Sequence, residues 1–94
     1  MAMGDDVVAL DALSGAAHLL ARGGQGERAV ELLALVIQHP AVHQGTRDGA
    51  QRLLSRLESE LPPEVLAAAR GRGEARDLEA TAAEVLVELR AGGH

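Results

Sequence analysis

Two apolar segments separated by a glycine-rich break confine the start of this chain to a helical hairpin. Before the break, apolar residues recur at intervals of three and four, the period of one face of an α-helix: Leu10, Leu13, Ala17 and Leu20. The break contains Gly23, Gly24 and Gly26, and glycines end helices and adopt positive φ in turns. A second helix is predicted over about residues 27–39, because Pro40 cannot continue a helix and biases the residue before it towards an extended conformation.

The second helix is apolar over most of its circumference. Its narrow polar stripe consists of Glu27, Glu31, Ala34 and Gln38. A helix that is apolar on most sides is covered on more than one of them. We therefore expect other elements of this chain, or a second chain, to pack against it.

Small residues mark the place where the two helices are expected to cross. Gly15 lies in the interior of the first helix, where glycine costs about 0.5–1 kcal/mol relative to alanine. The close passage of a second backbone would explain its presence. We expect Ala17 to touch Ala29 across the helix pair, with Gly15 nearby, so that leucine at Gly15 or Ala29 would overpack the crossing.

The hairpin resembles one unit of the tetratricopeptide repeat (TPR) family. In that family a small residue on each helix lies at the crossing, and large residues flank it. Ala17 and Ala29 match the small pair, and Pro40 matches the terminating proline. The large positions are matched by Leu13, Leu20 and Leu33. The resemblance implies a fold that provides binding surfaces rather than catalysis.

The second half of the chain predicts three further helices. Thr46 is a suitable N-cap for a third helix over about residues 47–60, which buries one face only. Pro63 suits the first position of a short fourth helix, which residues 70–73 would end. Asp77 is expected to cap a fifth helix that reaches about residue 90. The predicted fold class is therefore all-α, with about five helices: one TPR-like antiparallel pair followed by capping helices.

These elements predict one helical domain over residues 5–90. The TPR-like hairpin occupies residues 5–40, and Asp5 or Asp6 is expected to cap its first helix. The closing helices occupy residues 46–90. Residues 1–4 are assigned to an expression-tag remnant or a disordered start, and residues 91–94 to a frayed tail.

The stretch over residues 61–86 extends the family resemblance. Its proline-initiated short helix, Arg/Gly-rich turn and last amphipathic helix resemble the segment that closes the TPR array in large bacterial regulators. Those regulators are STAND-type signal-transduction ATPases and TPR-containing transcriptional activators. The resemblance implies a C-terminal segment of such a protein, with a non-catalytic role in protein–protein interaction or oligomerisation.

Composition narrows the classes of function. The chain has no cysteine, which removes disulfides and thiolate metal sites, and no aromatic residue. Its net charge of −5 argues against broad binding to nucleic acid or to anionic membranes. All nine basic residues are arginine, a bias typical of GC-rich bacterial genomes. A cytoplasmic location is expected, with neither nucleic acid nor membrane as partner.

Two alternative functions depend on particular side chains. His39 and His43 have a spacing that could hold a metal on a regular helix, as in a small metal-binding protein or enzyme, but Pro40 interrupts that helix. The cluster of Arg70, Arg72 and Arg76 could contact phosphates in a helical nucleic-acid-binding module, although no aromatic residue is available to stack on bases. We predict no catalytic residue, no cofactor and no metal.

The apolar surplus of the second helix leads to a prediction about partners. In a solenoid that surplus is buried against a preceding repeat, which this chain lacks. We predict an interaction surface and a homodimer built on the first two helices, the alternative being a monomer whose later helices fold over the gap. The residues assigned to this surface are Val7, Val8, Leu10, Val30 and Ile37.

Overall fold

Five α-helices account for the architecture. The computed structural model describes residues 2–40 and 42–92, and the side chains of residues 8–40, 42–78 and 80–87. The helices are α1 (Ala2–Arg22), α2 (Gly26–Gln38), α3 (Gln44–Glu58), α4 (Pro63–Glu74) and α5 (Leu78–Gly92). No strand occurs within these described ranges. The predicted all-α fold with about five helices is confirmed.

The central element is α2. It packs against α1, α3 and α4, whereas α5 packs against α1. Every residue from 29 to 36 of α2 is buried, so the expectation that this helix is covered on more than one side is confirmed. The later helices fill the gap that a neighbouring repeat or a second copy was expected to occupy.

The break between α1 and α2 forms a tight turn. Gly24 has a φ of 85°, a backbone conformation that glycine adopts without a steric penalty. The amide of Gly23 donates to the carbonyl of Leu19 at 3.0 Å, and that of Gln25 donates to the carbonyl of Leu20 at 2.8 Å. At the other end of α2, His39 is extended with ψ 131° ahead of Pro40, as expected for a residue before proline.

Helix α3 begins earlier than predicted. It starts at Gln44, so Thr46 lies in its first turn and is not the N-cap. The Thr46 hydroxyl instead donates to Oδ1 of Asp11 at 2.7 Å, which connects α3 to α1. The apolar stripe predicted for α3 comprises five residues, of which four are buried in the helix: Ala50, Leu53, Leu54 and Leu57. The fifth, Leu61, lies beyond the end of α3 and is partly buried against the core.

Helix α4 is longer than predicted, because its glycines do not end it. The helix continues through Gly71 and Gly73 to Glu74. Gly73 is buried against α2, and a Cβ at this position would lie 2.9 Å from Cβ of Ala34 and would also clash with the carbonyl of Glu31. The missing side chain therefore permits close approach of the two helices. As a result Glu31 and Ala34, assigned to the polar stripe of α2, are 7% and 6% exposed.

The predicted ends of the chain also need correction. Helix α1 begins at Ala2, so Asp5 and Asp6 lie within it rather than at its N-cap, and residues 2–4 are helical. Helix α5 extends to Gly92, into the segment assigned to a frayed tail. The cap of α5 agrees with the prediction, since Oδ2 of Asp77 accepts a hydrogen bond from the amide of Ala80 at 3.0 Å.

Candidate functional site

The residues predicted as an interaction surface do not share a surface. Leu10 and Val30 are 1% and 0% exposed, so both belong to the core and cannot contact a partner of the folded domain. Ile37 is partly buried against the core, whereas Val8 is 68% exposed. The side chain of Val7 lies outside the described residues. The assignment fails at Val30 because α1, α3 and α4 together enclose α2, and at Leu10 because this residue lies on the core-facing side of α1.

Of the three residues predicted to lie at the helix crossing, two are buried and one is exposed. Ala17 and Ala29 are both fully buried, as expected for small residues between packed helices. Gly15 is exposed, and a Cβ placed there would meet no atom within 4 Å. The prediction that Gly15 lies beside the crossing, and that a larger residue would overpack it, is therefore wrong. Gly73, by contrast, lies where a Cβ would clash with the backbone of another helix.

Gly15 belongs to an uncharged stripe on the outer face of α1. Residues at intervals of four, three and four share one face of a helix, and here all four are exposed: Val8, Ala12, Gly15 and Leu19. Leu19 is 57% exposed, comparable to Val8 at the other end of the stripe. We call these four residues the outer α1 stripe. Its spacing is visible in the sequence, but only the fold shows that this face of α1 is left uncovered.

A network of ion pairs joins α2 to α4 and α5. Its centre is Glu31, which accepts a hydrogen bond from Nε of Arg72 at 2.9 Å and lies 3.3 Å from Nε of Arg76. Arg28, one turn earlier on α2, approaches the same carboxylate at 3.5 Å. A buried carboxylate is tolerated only when charged donors surround it in this way. The network therefore pins α4 to α2, and it needs α4 to continue past residue 70.

Hydrogen bonds within the network shift the pKa values of two of its members, Arg72 and Glu84. Arg72 donates to Glu31 and, at 2.7 Å, to Glu27, and these bonds raise the pKa of the guanidinium. Arg76 donates to Glu84 of α5 at 2.8 Å, and this bond is the main reason why the pKa of Glu84 is below its ordinary value of 4.5. Arg28 reinforces the effect on Glu84 from 3.6 Å. The salt bridges thus stabilise the charged forms of both the arginine and the glutamate side chains.

The arginines considered for phosphate binding form ion pairs with carboxylates of this chain. Arg72 and Arg76 pair with carboxylates of α2 and α5. Arg70 lies 3.9 Å from Glu58 of α3, a looser and more exposed pair. The cluster therefore serves to hold helices together, a role with no local sequence signal, because Glu31 and Arg72 are 41 residues apart.

The two histidines considered as metal ligands lie on either side of the α2–α3 connection. His39 follows α2 and is partly buried, and His43 immediately precedes α3 and is exposed. Among the described residues, no three His, Asp or Glu side chains are grouped closely enough to hold a metal ion. Within that part of the chain, no third ligand therefore joins this histidine pair.

Comparisons with known proteins leave the family open. No protein-family model, no curated protein and no solved structure matches this chain. Within the part of the chain that the structure describes, none of the helices combines the length and apolar character needed to cross a membrane.

Proposed function

We propose that this domain is a non-catalytic protein–protein interaction or oligomerisation module that closes a TPR-like array in a bacterial signalling or regulatory protein. The proposal includes the cytoplasmic location expected from the sequence. Its main support is the outer α1 stripe, which offers three helical turns of uncharged surface with two small residues at its centre. A face of this kind accepts a packed helix, because small side chains let a second backbone approach closely.

The position of the stripe fits the role of an array end. In a helical solenoid each repeat packs against its neighbours, and the first helix of one repeat is covered by the repeat before it. Here the inner face of α1 packs on α2, α3 and α5, so the outer face is the side left for a preceding unit. Exposed apolar residues at Val8 and Leu19 mark both ends of that face.

For the isolated chain, we propose that a second copy occupies this face in an antiparallel, two-fold arrangement. The stripe is symmetric about its centre, so an antiparallel partner would bring Val8 of one copy opposite Leu19 of the other. Ala12 would lie opposite Gly15, which makes the closest approach coincide with the smallest residues. A self-complementary contact of this kind is the usual basis of a homodimer.

Sedimentation equilibrium at micromolar concentration tests the association. We expect a monomer–dimer equilibrium that Leu19→Glu shifts to monomer, since the substitution places a charge in the contact while leaving the core intact. Ala68→Glu is the matched control, because Ala68 is exposed on α4, away from the stripe, and the change in charge is the same. A single monomeric species at all concentrations, or equal dissociation by the two variants, would refute the proposed dimer.

Disulfide trapping tests the register of the dimer. The chain has no cysteine, so Ala12→Cys and Gly15→Cys variants carry one thiol each. We expect a mixture of the two variants to cross-link faster than either variant alone, because only residues with Cα atoms within about 7 Å form a disulfide readily. Faster cross-linking of one variant with itself would show a different register.

The two alternative functions gain no comparable support. A nucleic-acid interface centred on Arg70, Arg72 and Arg76 would have to break the pairs with Glu27, Glu31 and Glu84. A metal or catalytic site at His39 and His43 would need further ligands or partners for the two imidazoles. Calorimetry with Zn²⁺ tests the metal alternative, for which we expect no stoichiometric binding.

A further inference from the structure

A groove between α1 and α3 combines an apolar floor with positive charge. Two adjoining hollows of about 150 and 290 Å³ make up the groove, and both are lined by His18, Leu53 and Arg56. The smaller hollow also touches Arg22 and Leu57, and the larger one Arg52 and Gly49. We call this feature the α1–α3 groove.

The arginines of the groove differ from those of α4 in their lack of an acidic partner among the described residues. The ion pairs found in that part of the chain use Arg28, Arg70, Arg72 and Arg76. Within the same ranges Arg22, Arg52 and Arg56 form none, although the chain as a whole carries a net charge of −5. The single described carboxylate that lines the groove is that of Glu60, at one end. A local excess of positive charge on an acidic protein is a site of electrostatic complementarity for an acidic ligand.

The floor and walls of the groove add shape to this charge. Leu53 and Leu57 are 5% and 3% exposed, so only their edges contribute to the surface of the groove. A Cβ placed on Gly49 would meet no atom within 4 Å, which leaves the larger hollow open. Nδ1 of His18 donates to the carbonyl of Ser14 at 2.9 Å, so Nε2 remains available to a ligand. The smaller hollow has the size of a cavity that accommodates one small apolar group.

We infer that the α1–α3 groove binds an acidic peptide segment from a partner protein. Carboxylates of the peptide pair with Arg22, Arg52 and Arg56, and one aliphatic side chain enters the smaller hollow against Leu53. This surface is separate from the outer α1 stripe and adds a second partner to the proposed module.

The same arginines could in principle contact nucleic-acid phosphates, but the surroundings favour a peptide. The apolar floor suits an aliphatic side chain, and the chain contains no aromatic residue on which a base could stack. A long polyanion would also be repelled by the net charge of −5, whereas a short acidic segment confined to the groove would meet mainly the arginines.

Peptide display tests the inference with an unbiased set of ligands. Twelve-residue random peptides are selected on the immobilised protein, and we expect enrichment of Asp and Glu together with Leu, Ile or Val. The affinity of a selected peptide is then measured by fluorescence anisotropy at low and high salt. We expect binding to weaken as salt rises, because the charges involved are exposed.

Four variants locate the site. Arg52→Glu should weaken the selected peptide about tenfold or more, whereas Arg70→Glu, with the same change in charge outside the groove, should have a much smaller effect. Gly49→Leu should block binding by filling the larger hollow, while circular dichroism shows an unchanged fold. Val8→Glu, at the end of the outer α1 stripe far from Arg22, should retain binding, so the peptide site can fail or succeed independently of the proposed dimer.

Defined results would overturn the inference. Selected peptides without an acidic bias would refute it, and so would equal losses in the Arg52→Glu and Arg70→Glu variants. Tighter binding of a single-stranded oligonucleotide than of the selected peptide, lost in Arg52→Glu, would replace the peptide by nucleic acid. Full displacement of the peptide by millimolar inorganic phosphate would reduce the groove to a general anion site.

Discussion

The α4 side and the α3 side of the hairpin use the same residue types for opposite purposes. On the α4 side, Arg72 and Arg76 are bound to Glu31, and Gly73 is covered by the backbone of α2. On the α3 side, Arg52 has no ion pair with any described residue, and Gly49 faces open space. Neither an arginine nor a helical glycine therefore indicates a role by itself. What lies opposite the residue decides whether it stabilises the fold or remains available to a ligand.

Substitutions at two glycines of α4 should differ most in their effect on the free energy of unfolding. Gly73→Ala should destabilise the domain by about 3 kcal/mol, because its Cβ would overlap the carbonyl of Glu31 and crowd Ala34. Gly71→Ala, two residues earlier, should be stabilising by about 0.5–1 kcal/mol, because a Cβ there meets no atom within 4 Å. Urea unfolding followed by circular dichroism measures both, since the chain has no aromatic fluorophore. Equal stabilities of the two variants would show that α4 does not approach α2 so closely.

A smaller loss of stability is expected when a buried carboxylate is replaced, and almost none when an exposed one is. Glu31→Gln should cost about 1.5–3 kcal/mol, because the arginines around this buried group lose a charged acceptor. Glu58→Gln is the control, since Glu58 and its partner Arg70 are both about half exposed and 3.9 Å apart. We expect it to change the free energy of unfolding by less than about 0.5 kcal/mol. The comparison would fail if thermal unfolding ranked the two substitutions in the reverse order.

The smallest change in stability is expected in acid, where the bond between Arg76 and Glu84 is lost. Arg76 lowers the pKa of Glu84 in the folded state, so the bond contributes stability above the ordinary value of 4.5 and loses it as the pH falls through the folded pKa. We therefore expect the difference in melting temperature between the unmodified protein and Glu84→Gln to be largest near neutral pH and to shrink below about pH 4. The groove arginines, which pair with no described carboxylate, offer no matching effect. A difference that stays constant from pH 7 to pH 3 would contradict the role of this bond.

Local patterns predicted the helices, while the partners of individual residues came from the tertiary fold. The apolar periodicity of α1 and α3, the stop at Pro40 and the cap at Asp77 are short-range features, and the structure reproduces them. The burial of Glu31 depends on a helix more than 30 residues away, and a glutamate on a mainly apolar helix reads as solvent-facing in any local analysis. Gly71 and Gly73 likewise read as a helix end, because their sequence does not reveal that one of them lies against a backbone.

The candidate surfaces show the same limit. The sequence identified an apolar surplus on α2 but could not determine that α4 would cover it, and so it placed Leu10 and Val30 at an interface. The outer α1 stripe and the α1–α3 groove each have a helical spacing that can be read from the sequence. The lack of ion pairs at Arg52 and Arg56 among the described residues, on which the groove proposal depends, became visible only from the tertiary contacts.

The central position of α2 also sets the order in which parts of the molecule open. Residues 29–36 are enclosed by three helices, so their amides can exchange with solvent only when the domain unfolds as a whole. Helix α5 contributes Leu78 and Val85 to the core, but it packs mainly against α1 and is linked to α2 through Glu84 at the surface, so we expect it to open at a lower free energy than α2. Such a partial opening would uncover the part of α1 beneath α5 and break the pairs of Glu84 with Arg28 and Arg76, whereas the pair of Arg72 with Glu31 and the α1–α3 groove would persist. Amides of α5 should therefore exchange with solvent faster than those of residues 29–36.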